Sequence, residues 1–134
     1  MSGETNLQNL LRSIEPILQP GEYVFCSLDA QRSYPANLDP ICSFREAEGL
    51  TLILNREQAE AVALSYEVTF CMITLSVHSS LEAVGFLAAV AGKLAEYNIS
   101  VNPVSAYYHD HLFVPASRAQ EAMALLRELS EKQI

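Results

Sequence analysis

At 134 residues, the chain has room for one ordinary domain or for two very small modules sharing a core. Half of its residues are hydrophobic and 18% are charged, which excludes wholesale disorder and allows a real core. Lys and Arg number 8 against 16 Asp and Glu, a net charge of -8, which argues against nucleic acid as the main partner.

No apolar run approaches the roughly 20 residues of a membrane helix, so no membrane span is expected. The start of the chain lacks a cationic stretch followed by an apolar one, so no signal peptide is expected. Cys26, Cys42 and Cys71 show no CxxC spacing and sit among apolar residues. They read as free thiols in a reducing compartment, and the expected localisation is cytoplasmic.

In chain order, Thr5 with Gln8 forms a capping pattern. Leu7, Leu10, Leu11, Ile14 and Leu18 then predict an amphipathic helix, fraying where Pro16 disfavours helix at Glu15. Pro20-Gly21 stops it. Residues 22–28 predict a strand with two largely apolar faces, hence buried on both sides. Residues 29–40, with Pro35, Asn37, Asp39 and Pro40, predict a long loop. Short strands follow at 41–44 and 50–54, joined by a turn. Asn55 with Gln58 caps a short helix running to Leu64.

Residues 68–77 predict a long strand with Cys71, Ile73, Leu75 and Val77 toward the core. Ser79-x-x-Glu82 reads as a capping box, opening a helix through Ala95. Asn98 stops that helix. Pro103 places the strand at 99–106 on an edge or a bulge. Residues 107–109 turn the chain into a strand at 110–114. Ser117-x-x-Gln120 caps a last helix with Ala122, Met123, Leu126 and Leu129 inward.

The second half thus reads β-α-β-β-α. A weak repeat, Gln58–Leu64 against Ala119–Leu125, suggests two related modules. The expected fold class is α+β, with ferredoxin-like antiparallel sheets and helices on one face. The expected division is an N-terminal helix at 1–20, an abbreviated first module at 21–66 and a second at 67–134.

No catalytic signature is present: there is no G-x-S-x-G, no GxGxxG and no phosphate-cradling loop, with only 5 glycines in the chain. The chain is not expected to be an enzyme, nor to carry a cofactor. His78 beside Ser79 and Ser80 raises a Ser-His pair, but adjacency in sequence does not give triad geometry, and Ser79 is better used as a helix cap. His109-Asp110-His111 admits three readings. It is a polar hairpin with the histidines packed beside Tyr107 and Tyr108, a ligand contact, or a metal site completed by His78 or an acid. In an extended chain the two histidines share one face and Asp110 takes the other. The helix N-terminus after the long strand offers free N–H groups to a small carboxylate, unless Ser79 and Glu82 satisfy them.

The strings His78-Ser-Ser-Leu-Glu-Ala-Val-Gly-Phe86, Ile99-Ser-Val-Asn102 and Tyr107-Tyr-His-Asp-His-Leu-Phe-Val-Pro115 resemble the ACT-domain superfamily. Phe44-Arg-Glu-Ala-Glu-Gly-Leu-Thr51 is similar to its first module. The chain looks closest to small bacterial tandem ACT proteins, and its paired modules are similar to those of aspartate kinases and animal arginine sensors. The resemblance implies a βαββαβ regulatory fold that pairs side by side and binds an amino acid at the junction. Carried over by position, the ligand loop is His78, Ser79 and Ser80, with Val84 and Gly85 in the helix's first turn. Asn102 lies on the lining strand, and Asp110 matches an acidic ligand-facing position. Ser79-Ser80 stands where the family carries a glycine-rich loop, and no metal ligand is implied.

The resulting expectation is a regulatory protein sensing an amino acid, with a homodimer as the expected assembly. An interaction module without ligand is the alternative. A small metal-dependent protein using His109 and His111 is the third.

Overall fold

The computed structural model describes residues 6–29, 36–77 and 83–131. Two compact units divide the chain: Met1–Pro20 with Cys71–Ile134, and Gly21–Phe70 between them.

The first of these units begins with helix α1 (Leu7–Arg12) and strand β1 (Pro16–Leu18). It continues with β5 (Phe70–Leu75), α3 (Phe86–Ala95), β6 (Asn102–Ser105), β7 (Asp110–Pro115) and α4 (Ala119–Glu131). Its strand order is β1-β5-β7-β6. β1 pairs antiparallel with β5, Ile17 opposite Thr74, and β6 pairs antiparallel with β7, Val104 opposite His111. Counting from β5, this is a β-α-β-β-α chain whose fourth strand comes from the start of the sequence. The class is α+β, as expected.

Helices α1, α3 and α4 share one core with the sheet. Leu10, Leu11 and Ile14 meet Ile73, Leu75, Leu112 and Val114, together with Phe86, Val90, Leu94, Ala122, Met123 and Leu126. Ile73 and Leu75 face this core, with Cys71 and Val77 packed at its margin, as the alternation in the strand predicts. Thr74 and Met72 on the opposite face are buried as well.

The second unit holds β2 (Tyr23–Leu28), β3 (Cys42–Glu46), β4 (Gly49–Asn55) and α2 (Arg56–Ala61), with strand order β3-β4-β2. Val24, Cys26 and Leu28 alternate into a core with Leu52, Leu54, Ala59 and Leu64. β2 is therefore buried on one face; Ser27 on the other is exposed. All three cysteines are unbridged, and burial pushes the Cys26 thiol up from its ordinary range.

Several boundaries differ from the sequence reading. The N-terminal helix stops at Arg12 and does not run on to Leu18. Pro16 has no N–H to give a helix and holds Glu15 extended, so the chain enters an edge strand within its unit, where a proline is tolerated. Thr5 lies outside the described residues; Asn6 caps the helix, its Oδ1 accepting from Asn9 N at 3.0 Å. Asn55 caps α2 as expected, accepting from Glu57 N at 2.9 Å. That helix ends at Ala61, before Leu64, because Ala63 turns to φ 58. Asn98 stops α3 in the same way at φ 57, with Ile99 N donating to Leu94 O at 3.1 Å. Among the described residues, no helix is long and apolar enough to cross a membrane.

Because Leu10 is fully buried in the core that α3, α4, β5 and β7 build, Leu10→Ala should cost about 2–5 kcal/mol. Leu126→Ala, in the same core, should cost a similar amount. Chemical denaturation measures both. A Leu10→Ala cost within about 0.5 kcal/mol, the range of a surface change, would show that the N-terminal segment is not part of that core.

Candidate functional site

One end of the first unit's sheet gathers most of the polar chemistry. β5 finishes there and β7 begins there. Thr74 Oγ1 lies 3.0 Å from His111 Nδ1 and Val77 O lies 3.4 Å from His109 Nδ1, so the two strands run in opposite senses. The register of β6 on β7 sets Ser105 opposite Asp110 at this end and Asn102 opposite Phe113 at the other. Since α3 ends seven residues before Asn102, its C-terminus lies toward the far end. Its 10 residues span about 15 Å, which brings its N-terminus back toward Asp110.

The helix opens on Gly85, which has φ 86 and gives no side-chain cap. Only glycine takes that left-handed conformation freely, so the helix starts at Phe86, and Val84 and Gly85 precede its first turn rather than forming it. Val84 is exposed. Asp110, by contrast, is only 5% exposed and faces the helix side with Leu112 and Val114. Ser105 shares its face across the ladder.

His109 and His111 share the other face, their rings 6.5 Å apart, as an extended chain dictates. Burial pushes His111 below the ordinary imidazole range; the neighbouring His109 acts in the same direction and Asp110 opposes both. Gln19 Nε2 donates to Thr74 Oγ1 at 2.9 Å, so a polar row runs from Gln19 through Thr74 to His111. Tyr107 and Tyr108 lean edge to face at the hairpin tip, ring centres 5.0 Å apart and both largely exposed.

The residues singled out from sequence separate into three groups. His78, Ser79 and Ser80 lie outside the described residues, as does Glu82 of the expected capping box. Gly85 and Asp110 come to the same sheet end. Asn102 does not join them: it is exposed, three register steps or about 10 Å along the strand, and on the opposite face. Ser105 holds the place across from Asp110.

Gln19 and Thr74 were not anticipated. Gln19 reads as the lead-in to the Pro20-Gly21 turn, and Thr74 as one polar residue on a mixed strand face. Only the pairing of β1 with β5 makes them neighbours.

Among the described residues, no group of three or more His, Cys, Asp and Glu side chains is placed to hold a metal ion. In the second unit, a shallow cleft of about 260 Å³ is lined by Gly21, Glu22, Asn55, Arg56 and Glu57. Arg56 is bonded to Glu22 at 2.9 Å, with its buried Nε 3.9 Å from Glu60 Oε2 and without a hydrogen bond among the described residues.

Residues 2–71 match one model of the ACT domain and residues 67–128 match another. The first match takes in the N-terminal segment, although α1 and β1 fold with the other unit. Among solved structures, the chain is similar to a protein of unknown function from Vibrio cholerae described as a possible transport protein. That match has 48% identity, covers 92% of this chain and 95% of that one, and has a TM-score of 0.84. A protein from Agrobacterium tumefaciens matches at 18% identity, 87% and 89% coverage and a TM-score of 0.76. The ligand-free regulatory subunit of aspartate kinase from Thermus thermophilus matches at 7% identity, 87% and 97% coverage and a TM-score of 0.65. The last two likenesses are likenesses of fold. No curated protein matches the sequence.

The two glycines of this helical region should respond oppositely to alanine. A Cβ at Gly85 would meet only Leu7 Cδ2 at 3.6 Å, an ordinary contact, so the cost is backbone strain of about 1–2 kcal/mol. Gly92, inside α3, has nothing within 4 Å of a Cβ, so Gly92→Ala should stabilise by about 0.5–1 kcal/mol. Thermal unfolding of the two variants distinguishes them. Equal effects would show that the Gly85 conformation is not required.

Proposed function

We propose, from the premise that this chain belongs to the ACT-domain family, that it is a regulatory protein that senses an amino acid and is not itself an enzyme. The arrangement that supports this reading is topological: α3, which follows β5, opens on Gly85 toward the sheet end where β7 begins with the buried Asp110. A zwitterion needs donors for its carboxylate and an acceptor for its ammonium. The first N–H groups of α3 suit the former, and the carboxylate of Asp110 suits the latter by a charge-assisted hydrogen bond. His78, Ser79 and Ser80, which precede Gly85 in the chain, complete the proposed loop, with Val84 beside it. Asn102, at the other sheet end, stands apart from this cluster and would contribute only through a second copy of the chain.

In this reading the first module spans 21–66 and the second 67–134, and the protein acts in the cytoplasm as a homodimer. The exposed Phe44 on edge strand β3, together with the unpaired backbone of that edge, favours such self-association. The same edge supports the second reading, an interaction module that binds protein and no ligand.

Thermal shift against a panel of amino acids tests the proposal, because a ligand of the native state raises the melting temperature. Calorimetric titration of the best one should then show binding weakened at least about tenfold by Asp110→Asn, the usual scale for losing one partner of a desolvated charge pair. Equal affinities would remove Asp110 from the site. If no amino acid binds at millimolar concentration, the sensing role fails. Sedimentation that then shows a dimer which Phe44→Glu dissociates would favour the interaction module.

A further inference from the structure

We propose that Gln19, Thr74 and His111 form a proton-operated clasp on β1: an uncharged His111 holds this strand on the sheet, and protonation of its ring loosens it. The proposal is independent of any ligand.

β1 needs such a clasp. It has three residues, and its register leaves Pro16 and Leu18 in non-bonded pairs, so Ile17 opposite Thr74 is the one bonded pair inside it. The main-chain bonds that bracket it are Ser76 N to Glu15 O at 3.1 Å and Gln19 N to Met72 O at 2.9 Å. The polar row adds the side chain of Gln19, which donates to Thr74 Oγ1 at 2.9 Å.

Thr74 is 5% exposed, so its hydroxyl has to be satisfied inside the protein. It has one proton to give. With Gln19 donating to it, that proton goes to His111 Nδ1 at 3.0 Å. His111 is then neutral, with its own proton on Nε2. This is a consistent chain of donors: amide to hydroxyl to imidazole.

Adding a proton at His111 Nδ1 reverses one end of the chain. Two donors then face Thr74 Oγ1, and the hydroxyl proton regains a side-chain acceptor only if the Gln19 amide turns over, which breaks the Nε2 bond to the hydroxyl. Burial and His109 both oppose the charge, and Asp110 on the other face favours it. Among the described residues, the other elements around His111 present nothing ionisable on this face. β5 gives Thr74, β1 gives Ile17, with Gln19 just beyond it, and β6 gives Val104.

The sign follows from linkage. When β1 lifts away, Gln19 leaves Thr74, the hydroxyl is free to turn, and His111 takes up a proton nearer its ordinary value of about 6.5; in the closed form it takes one up only at lower pH. Opening is therefore coupled to proton uptake between those two values. The clasp is closed above about 6.5 and weakens as the pH falls below it, by up to about tenfold per pH unit.

Amide hydrogen exchange of the full chain from pH 8 to pH 5 tests this, with each rate divided by its intrinsic rate at that pH. Protection at Gln19 and Ser76 should fall toward low pH, while Leu94 in α3 stays unchanged. His111→Gln, which keeps an acceptor without the titration, should make Gln19 protection independent of pH, and His109→Gln should leave its pH dependence in place. Constant Gln19 protection in the wild type, a parallel loss at Leu94, or an unaltered dependence in His111→Gln would each overturn the proposal. Nitrogen chemical shifts of His111 in the wild-type protein give a check that needs no variant. A proton on Nε2 at pH 8 is expected, and one on Nδ1 would contradict it.

Discussion

The return of the N-terminal segment, α1 into the core and β1 onto β5, is the contact on which the first unit depends. β5 and β7 are central strands, and a central strand left with one open edge exposes a row of main-chain donors and acceptors. Residues 16–18 close that edge from the start of the chain, and they bring α1 with them onto the helix face. The core of this unit is therefore assembled from both ends of the sequence, with Leu10 and Ile14 as much a part of it as Leu112 and Leu126.

This arrangement also explains how the site is placed. Once β1 covers β5 on one side and β7 covers it on the other, the end of β5 and the start of β7 are fixed side by side. The β6–β7 hairpin then sets Ser105 against Asp110 and sends Asn102 to the far end. The return of α3 across the sheet brings Gly85 toward Asp110. Gly85 and Asp110 are far apart in sequence and come to one end only through the sheet.

What the sequence made legible was what depends on near neighbours. α4 and the strand at 110–115 carry patterns of period 3.6 and 2 that need no partner to be read. Asn55 and Asn98 sit where local capping chemistry wants them. The order of the second module followed from its patterning, and the strings around His78 and His109 carried the family. Asp110 could be assigned to the face opposite the histidines by alternation alone.

What stayed hidden depends on distant pairing. Leu18 fits a helical period as well as it fits a strand, and only β5 decides between them. Asn102 and Asp110 belong to one hairpin, but register and face separate them, and a one-residue slip would reverse the face. Gln19 and Thr74 carry no motif; their meaning arises only when β1 reaches β5. The measurement that tests this account most directly is the amide-exchange map of a chain beginning at Gly21. If residues 1–20 complete the sheet, protection should be lost across α3, α4 and β7 while β2 and β4 keep theirs. A truncated chain that holds α3 and α4 as strongly as the full-length protein would contradict it.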